Sequence, residues 1–166
     1  MELTYRTPLP EEAPLVWSML NALDRETRYM LYEPGERRPD YSLVEQRILR
    51  AQKDDFFCCA WAGKEPVACV SADRGMARRI RHSAYVVAGV REKWRHQGIG
   101  TELFRRMEAW ARGHGVTRLE LTVVAENDAA IGLYEKNGFE REGVKQQSIL
   151  LDGEYKDELY MAKLLG

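Results

Sequence analysis

The chain has 166 residues, 45% of them hydrophobic and 31% charged, which suits a single domain with a substantial core. A formal net charge of −1 gives no basic field, which argues against nucleic acid as the main partner. No apolar run approaches the roughly 18 residues of a membrane span, and Met1-Glu2-Leu3-Thr4 lacks the basic and apolar regions of a secretory leader. A cytoplasmic protein with no membrane partner is expected.

Leu3 to Thr7 reads as a first strand, and Ala13, Val16, Trp17, Leu20 and Leu23 recur with helical spacing behind Glu11, Glu12 and Pro14. The following segment, Arg28 to Glu36, mixes aromatic and acidic residues in a loop. There Tyr29, Glu33 and Glu36 are candidates to frame a cationic amine, against the alternative of an ordinary surface loop. Ser42-x-x-Glu45 is a capping-box pattern before a second helix ending near Ala51. Phe56 to Ala62 and Val67 to Asp73 are apolar strands joined by a Gly63 to Pro66 turn. Cys58, Cys59 and Cys69 lie in these strands without metal-ligand spacing, so no metal site is expected. Buried structural thiols in a reducing compartment are the expectation, rather than a catalytic cysteine. The basic run Arg78 to His82 reads as a solvated turn.

His82 to Val90 is rich in β-branched and small residues and predicts a strand. Leu103, Phe104, Met107, Trp110 and Ala111 then mark one face of a helix. The junction, Arg95-His96-Gln97-Gly98-Ile99-Gly100-Thr101, places two glycines and a basic residue where a helix begins. Unpaired first-turn amides and the helix dipole make this a site for phosphate. A Rossmann fingerprint would need glycine or alanine where Leu103 stands. A P-loop would need lysine after Gly100, where Thr101 stands.

Arg118 to Val124 alternates as a strand. Asn127 is a natural helix cap and Gly138 a natural terminator. Asn127, Ile131 and Tyr134 fall within about a 60° sector of that helix, which by itself also describes a capped amphipathic helix with a tyrosine on its core face. A strand from Phe139 follows, with Gly143 as a bulge candidate. Asp152-Gly153 predicts a hairpin turn between Ser148 to Leu151 and Tyr155 to Ala162.

Arg95-x-x-Gly98-x-Gly100 between strand and helix is followed by Asn127-x-x-Ala130-x-x-Leu133-Tyr134-Glu135-x-x-Gly138-Phe139. This pair of segments resembles the GNAT superfamily of acyl-CoA-dependent N-acyltransferases, and the likeness extends over nearly the whole chain. It implies an α/β (α+β) fold of order βααβββαβαββ, a twisted, mostly antiparallel mixed sheet flanked by helices. It also implies acetyl-CoA as cosubstrate, with pantetheine between splayed central strands and paired with backbone at Ala88, Gly89 and Val90. The Val90 N–H would polarise the thioester carbonyl. Amides of His96, Gln97, Gly98, Ile99, Gly100 and Thr101 would hold the pyrophosphate, with Arg95 supplying charge and Arg91, Lys93 and Lys136 remaining solvated surface. Asn127 and Ile131 would lie on the cofactor side, and Tyr134 would be the acid that protonates the departing thiolate.

Where some relatives carry a strand glutamate this chain has Thr122, and the base stays unassigned, with Glu120 acting through water as one option. The implied reaction is acetyl transfer to a primary amine, with a small metabolite or drug favoured over a protein N-terminus or lysine. A non-catalytic acyl-CoA-binding module is the other class. A homodimer is compatible with the resemblance.

Overall fold

The computed structural model describes residues 2–166. Its strands are β1 (Thr4–Arg6), β2 (Phe56–Ala62), β3 (Glu65–Arg74), β4 (Ser83–Val90), β5 (Arg118–Val124), β6 (Glu140–Leu151) and β7 (Glu154–Leu164). They form one seven-stranded sheet in the order β1-β2-β3-β4-β5-β7-β6. The helices are α1 (Ala13–Glu26), α2 (Tyr41–Ala51), α3 (Ile99–Gly113) and α4 (Asp128–Lys136), which reproduces the expected element order.

β2 and β3 are apolar at successive positions because helices cover both of their faces. On one face, Leu103, Phe104 and Met107 of α3 pack with Cys58, Ala60, Val70, Val86, Leu119 and Leu121. On the other, Val16, Met19 and Leu23 of α1 and Ile48 of α2 pack with Phe57, Cys59, Trp61 and Cys69. All three cysteines are buried and free, as expected. Among the described residues no helix is long and apolar enough to cross a membrane, and no cluster of His, Cys, Asp and Glu could hold a metal ion.

Two local expectations are corrected. The second helix begins two residues earlier than the capping-box reading implies, because Asp40 is its cap and accepts from the Ser42 amide at 3.0 Å. A carboxylate at this position satisfies the orphan amide and adds a favourable charge at the positive end of the dipole. The last hairpin is longer than the sequence suggests: β6 runs unbroken from Glu140 to Leu151. Its pairing with β7 slips at Gly143, as anticipated, and again between Lys145 and Ile149. There Gln147 adopts φ 50°, and its N–H donates to Asp157 Oδ1 at 2.8 Å. Asp152 and Gly153 both have positive φ, as the tight turn requires.

Among the described residues, β4 and β5 are the only parallel neighbours, and they pair only through Ser83↔Arg118, Ala84↔Leu119 and Tyr85↔Glu120. Beyond Tyr85, β4 continues to Val90 paired with β3 alone. The sheet therefore opens into a wedge, as the resemblance implies.

Candidate active site

The wedge is bounded on one side by the backbone of Val86 to Val90, including Ala88, Gly89 and Val90. These residues have no strand partner on the β5 side. α1 packs against the sheet at Gly89, where a Cβ would stand 2.9 Å from the tip of the buried Leu23 side chain and would oblige that side chain to shift. Past Val90, Glu92–Trp94 makes a single 3-10 turn and His96 takes φ 62°. Gly98 caps α3 in the left-handed region at φ 79°, and no side chain caps the helix. The first-turn amides of Ile99, Gly100 and Thr101 are thus free of side-chain acceptors at the positive end of a 15-residue helix. Nothing lies within 4 Å of a Cβ built on Gly98, so this loop has the room and the donors for a phosphate.

The basic residues of this loop separate by role. Arg95 turns back along β4, its Nε donating to Val90 O at 3.2 Å, while Gln97 Nε2 donates to Lys93 O. Arg91 is not solvated surface as expected: it grips Glu26 of α1 through Nε and Nη2 at 3.0–3.2 Å, and Glu26 also accepts from the Glu92 amide. This clamp fixes α1 to the end of β4 and removes Arg91 from service to an anion. Gly100 also departs from expectation. Its Cβ position points at Leu133 Cδ2 of α4, 3.1 Å away, so a side chain there would crowd the helix contact, while its amide still lies in the first turn of α3.

From the α3–α4 layer, Tyr134 approaches the wedge. Its ring packs on Phe104 and Phe139 at centroid distances of 5.7 and 5.9 Å. Burial, with a smaller contribution from the Tyr85 phenol, pushes its hydroxyl up to about 12. It therefore stays protonated at neutral pH and is available as an acid. Asn127 caps α4, its Oδ1 accepting from the Ala130 amide at 3.3 Å. Ile131 is 4% exposed and belongs to the core, while Asn127 and Tyr134 flank it on the same helix.

The opposite face of the wedge is open. By register, Ser71 and Asp73 of β3, Tyr85 and Val87 of β4, Glu120 and Thr122 of β5, and Tyr160 of β7 share the α1/α2 side. Tyr85, Val87 and Tyr160 are 41–43% exposed there. The Tyr85 hydroxyl and Thr122 Oγ1 meet at 2.7 Å, just where strand pairing stops. Glu120 is engaged at the closed end: it accepts from Ser83 Oγ at 3.0 Å and from Arg118 at 3.2 Å, and Arg118 also binds Glu142.

The α1–α2 segment borders this face. Glu36 accepts from the Glu33 amide and returns its own amide to Glu33 O, so its carboxylate closes a local turn. Tyr29 lies under the Arg28 guanidinium at 5.7 Å. Arg28 pairs with Glu126 and with Asp152 of the β6–β7 turn, linking three loops. Arg37 binds the buried Asp24 through two hydrogen bonds of 2.8 and 3.0 Å. Sequence reasoning misses Tyr85, Asp73 and Arg47, since period-two alternation assigns faces but not the neighbours across strands or the contact from α2.

A sheet parted beside a glycine-capped helix start, with a protonated phenol at the gap, is the arrangement that the resemblance to N-acyltransferases implies. The sequence profile of the Acetyltransferase (GNAT) family matches residues 17–139, and the chain belongs to this family. Over 113 residues it is 36% identical to the L-amino acid N-acetyltransferase AaaT of Escherichia coli K12, covering 61% of this chain and 68% of that one. Among solved structures, a GNAT-family acetyltransferase from Streptococcus pneumoniae superposes with a TM-score of 0.93 at 24% identity, covering 99% of this chain and 100% of the other. YncA from Salmonella typhimurium, described with acetyl-CoA as its cofactor, gives 0.85 at 17% identity, covering 99% and 94%. The chain is an N-acetyltransferase, and solved structures of the same fold carry acetyl-CoA or CoA.

Proposed function

We propose that this enzyme transfers acetyl directly from acetyl-CoA to the primary amine of a small metabolite or drug. The observation that carries the reading is the wedge, which has Tyr134 on one side and an open polar face on the other. Backbone of Ala88, Gly89 and Val90 would take the pantetheine arm as an added strand, and the Val90 N–H would polarise the carbonyl. Amides from His96 to Thr101 would hold the pyrophosphate beside Arg95. The bound thioester supplies the activated acetyl group.

The amine approaches from the open face, between Val87 and Thr122, and must arrive neutral. Glu120 is tied to Ser83 and Arg118, so the proton leaves to water on that face. As the C–N bond forms and the C–S bond breaks, Tyr134 protonates the thiolate, and the proton lost by the amide nitrogen restores the phenol through water. Tyr29, Glu33 and Glu36 lie in the segment bordering this face and remain its candidate acceptor residues. A small acceptor is supported by the loops that Arg28 ties together and by the likeness to AaaT, whose name assigns it L-amino acids. The reading extends to a single domain in the cytoplasm, which the three free buried thiols favour. It also admits a homodimer, for which β6 leaves an exposed sheet edge. Thiol release from acetyl-CoA across a panel of amines tests it. Release with small primary amines supports the proposal, and release with peptides alone transfers it to protein acetylation. Binding without release with any amine makes the chain a non-catalytic module.

A further inference from the structure

Arg47 reaches from α2 onto the open face. Its Nη1 donates to Ser71 Oγ at 2.7 Å and its Nη2 to Asp73 Oδ2 at 3.1 Å. These two β3 residues stand directly opposite Val87 and Tyr85, the β4 residues that edge the wedge. The guanidinium side chain is 35% exposed and keeps three of its five N–H groups uncommitted by those two bonds. Among the described residues, Asp73 Oδ1 is shielded from solvent yet has no hydrogen-bond partner. A paired cation and anion thus sit side by side one strand away from the proposed reaction site, both partly exposed on the open face.

We infer that Arg47 and Asp73 anchor an acceptor that carries a carboxylate beside its amine, an α-amino acid, with Arg47 taking the carboxylate and Asp73 attracting the ammonium. The inference rests on the open face being the acceptor side. Carboxylate and amine on one carbon, together with a hydrogen bond to the guanidinium, span about the 4.8 Å between neighbouring strands. An acceptor held at Arg47 therefore presents its nitrogen toward the Tyr85 and Val87 edge. Guanidinium matches carboxylate through two parallel N–H donors, a geometry lysine does not offer.

The test compares each L-amino acid of a panel with the amine left after removing its carboxyl group, using wild type, Arg47→Gln, Arg47→Lys and Asp73→Asn. Circular dichroism and acetyl-CoA affinity confirm that each variant folds. Wild type is expected to prefer amino acids. Arg47→Gln should raise the KM of amino acids about tenfold to a hundredfold while moving that of the amines only a few-fold. Arg47→Lys should recover part of the loss. Asp73→Asn should raise both substrates' KM alike, since both carry the ammonium. Equal effects of Arg47→Gln on the two substrates, or a wild type preferring the amines, would overturn the inference and leave the acetyltransferase standing. If wild type releases no thiol with any amine, the proposed reaction fails. Calorimetry of L-amino acids with the CoA-bound protein then decides the anchor alone: binding lost in Arg47→Gln supports it, and no binding to wild type rejects it.

Discussion

Gly100 and Leu133 meet where the start of α3 passes α4: a Cβ on Gly100 would stand 3.1 Å from Leu133 Cδ2, whereas one on Gly98 would meet nothing within 4 Å. The two glycines of one motif thus answer to different constraints. Gly100→Val should overpack the helix contact, costing about 1–3 kcal/mol and about 2–12 °C in Tm. Gly98→Val, in open space but at φ 79°, should weaken acetyl-CoA binding more than Gly100→Val does. Thermal unfolding and calorimetry on both variants check this division, and equal losses of affinity would return both glycines to the phosphate.

Tyr134→Phe should lower kcat by about 10²- to 10⁴-fold and leave acetyl-CoA affinity nearly unchanged, because the packed ring stays and the transferable proton goes. The hydroxyl's elevation to about 12 gives a pH signature. kcat/KM should rise toward the amine pKa of about 10, with no falling limb from this acid until the pH nears 12. The same elevation above the unfolded value of about 10 contributes stability that is complete below pH 10 and is lost as the pH rises through 12. A falling limb near pH 8 or 9 that disappears in Tyr134→Phe would show an acid of much lower pKa than the buried phenol has.

Burial pushes the Cys58 thiol up to about 11 and that of Cys69 to about 12, and it raises Cys59 well above the usual thiol range. At pH 8 the native protein should react negligibly with a chromogenic disulfide. All three thiols should titrate once guanidinium unfolds the chain. A fast native reaction would reopen a covalent acyl-thiol route.

Arg37→Gln leaves the Asp24 carboxylate, whose side chain is 0% exposed, without its counter-ion. The loss should be about 3–5 kcal/mol, or about 6–20 °C in Tm. Replacing both partners, as Asp24→Leu with Arg37→Met, should recover much of it, because the cost lies in an uncompensated buried charge. Thermal unfolding of the three proteins decides the matter.

The order of elements was legible because periodicity and turn chemistry are local. The apolar run Phe56 to Ala62, the Asn127 cap and the Asp152-Gly153 turn each carry their own physical reason within a few residues. The candidate site was legible only where the motif touches backbone. Its side-chain partnerships are long-range: Arg91 with Glu26, Arg47 with Asp73, Tyr85 with Thr122. Alternation says that Asp73 and Tyr85 face one way or the other, but only strand register makes them neighbours. Local reading likewise shows a glycine at position 100 without showing that Leu133, brought in by a later helix, lies 3.1 Å from where its Cβ would be.

Three register pairs join β4 to β5, whereas seven join β3 to β4 and seven join β5 to β7. The sheet is therefore two well-laced panels held by a short seam, and a cosubstrate bound along that seam, as proposed above, would act as a fastener. A ligand that binds only the folded state at a hundred times its Kd adds about 2.7 kcal/mol. On the binding mode proposed above, that gain falls on a three-pair seam inside the sheet, so added acetyl-CoA should slow opening and proteolysis as well as drive turnover.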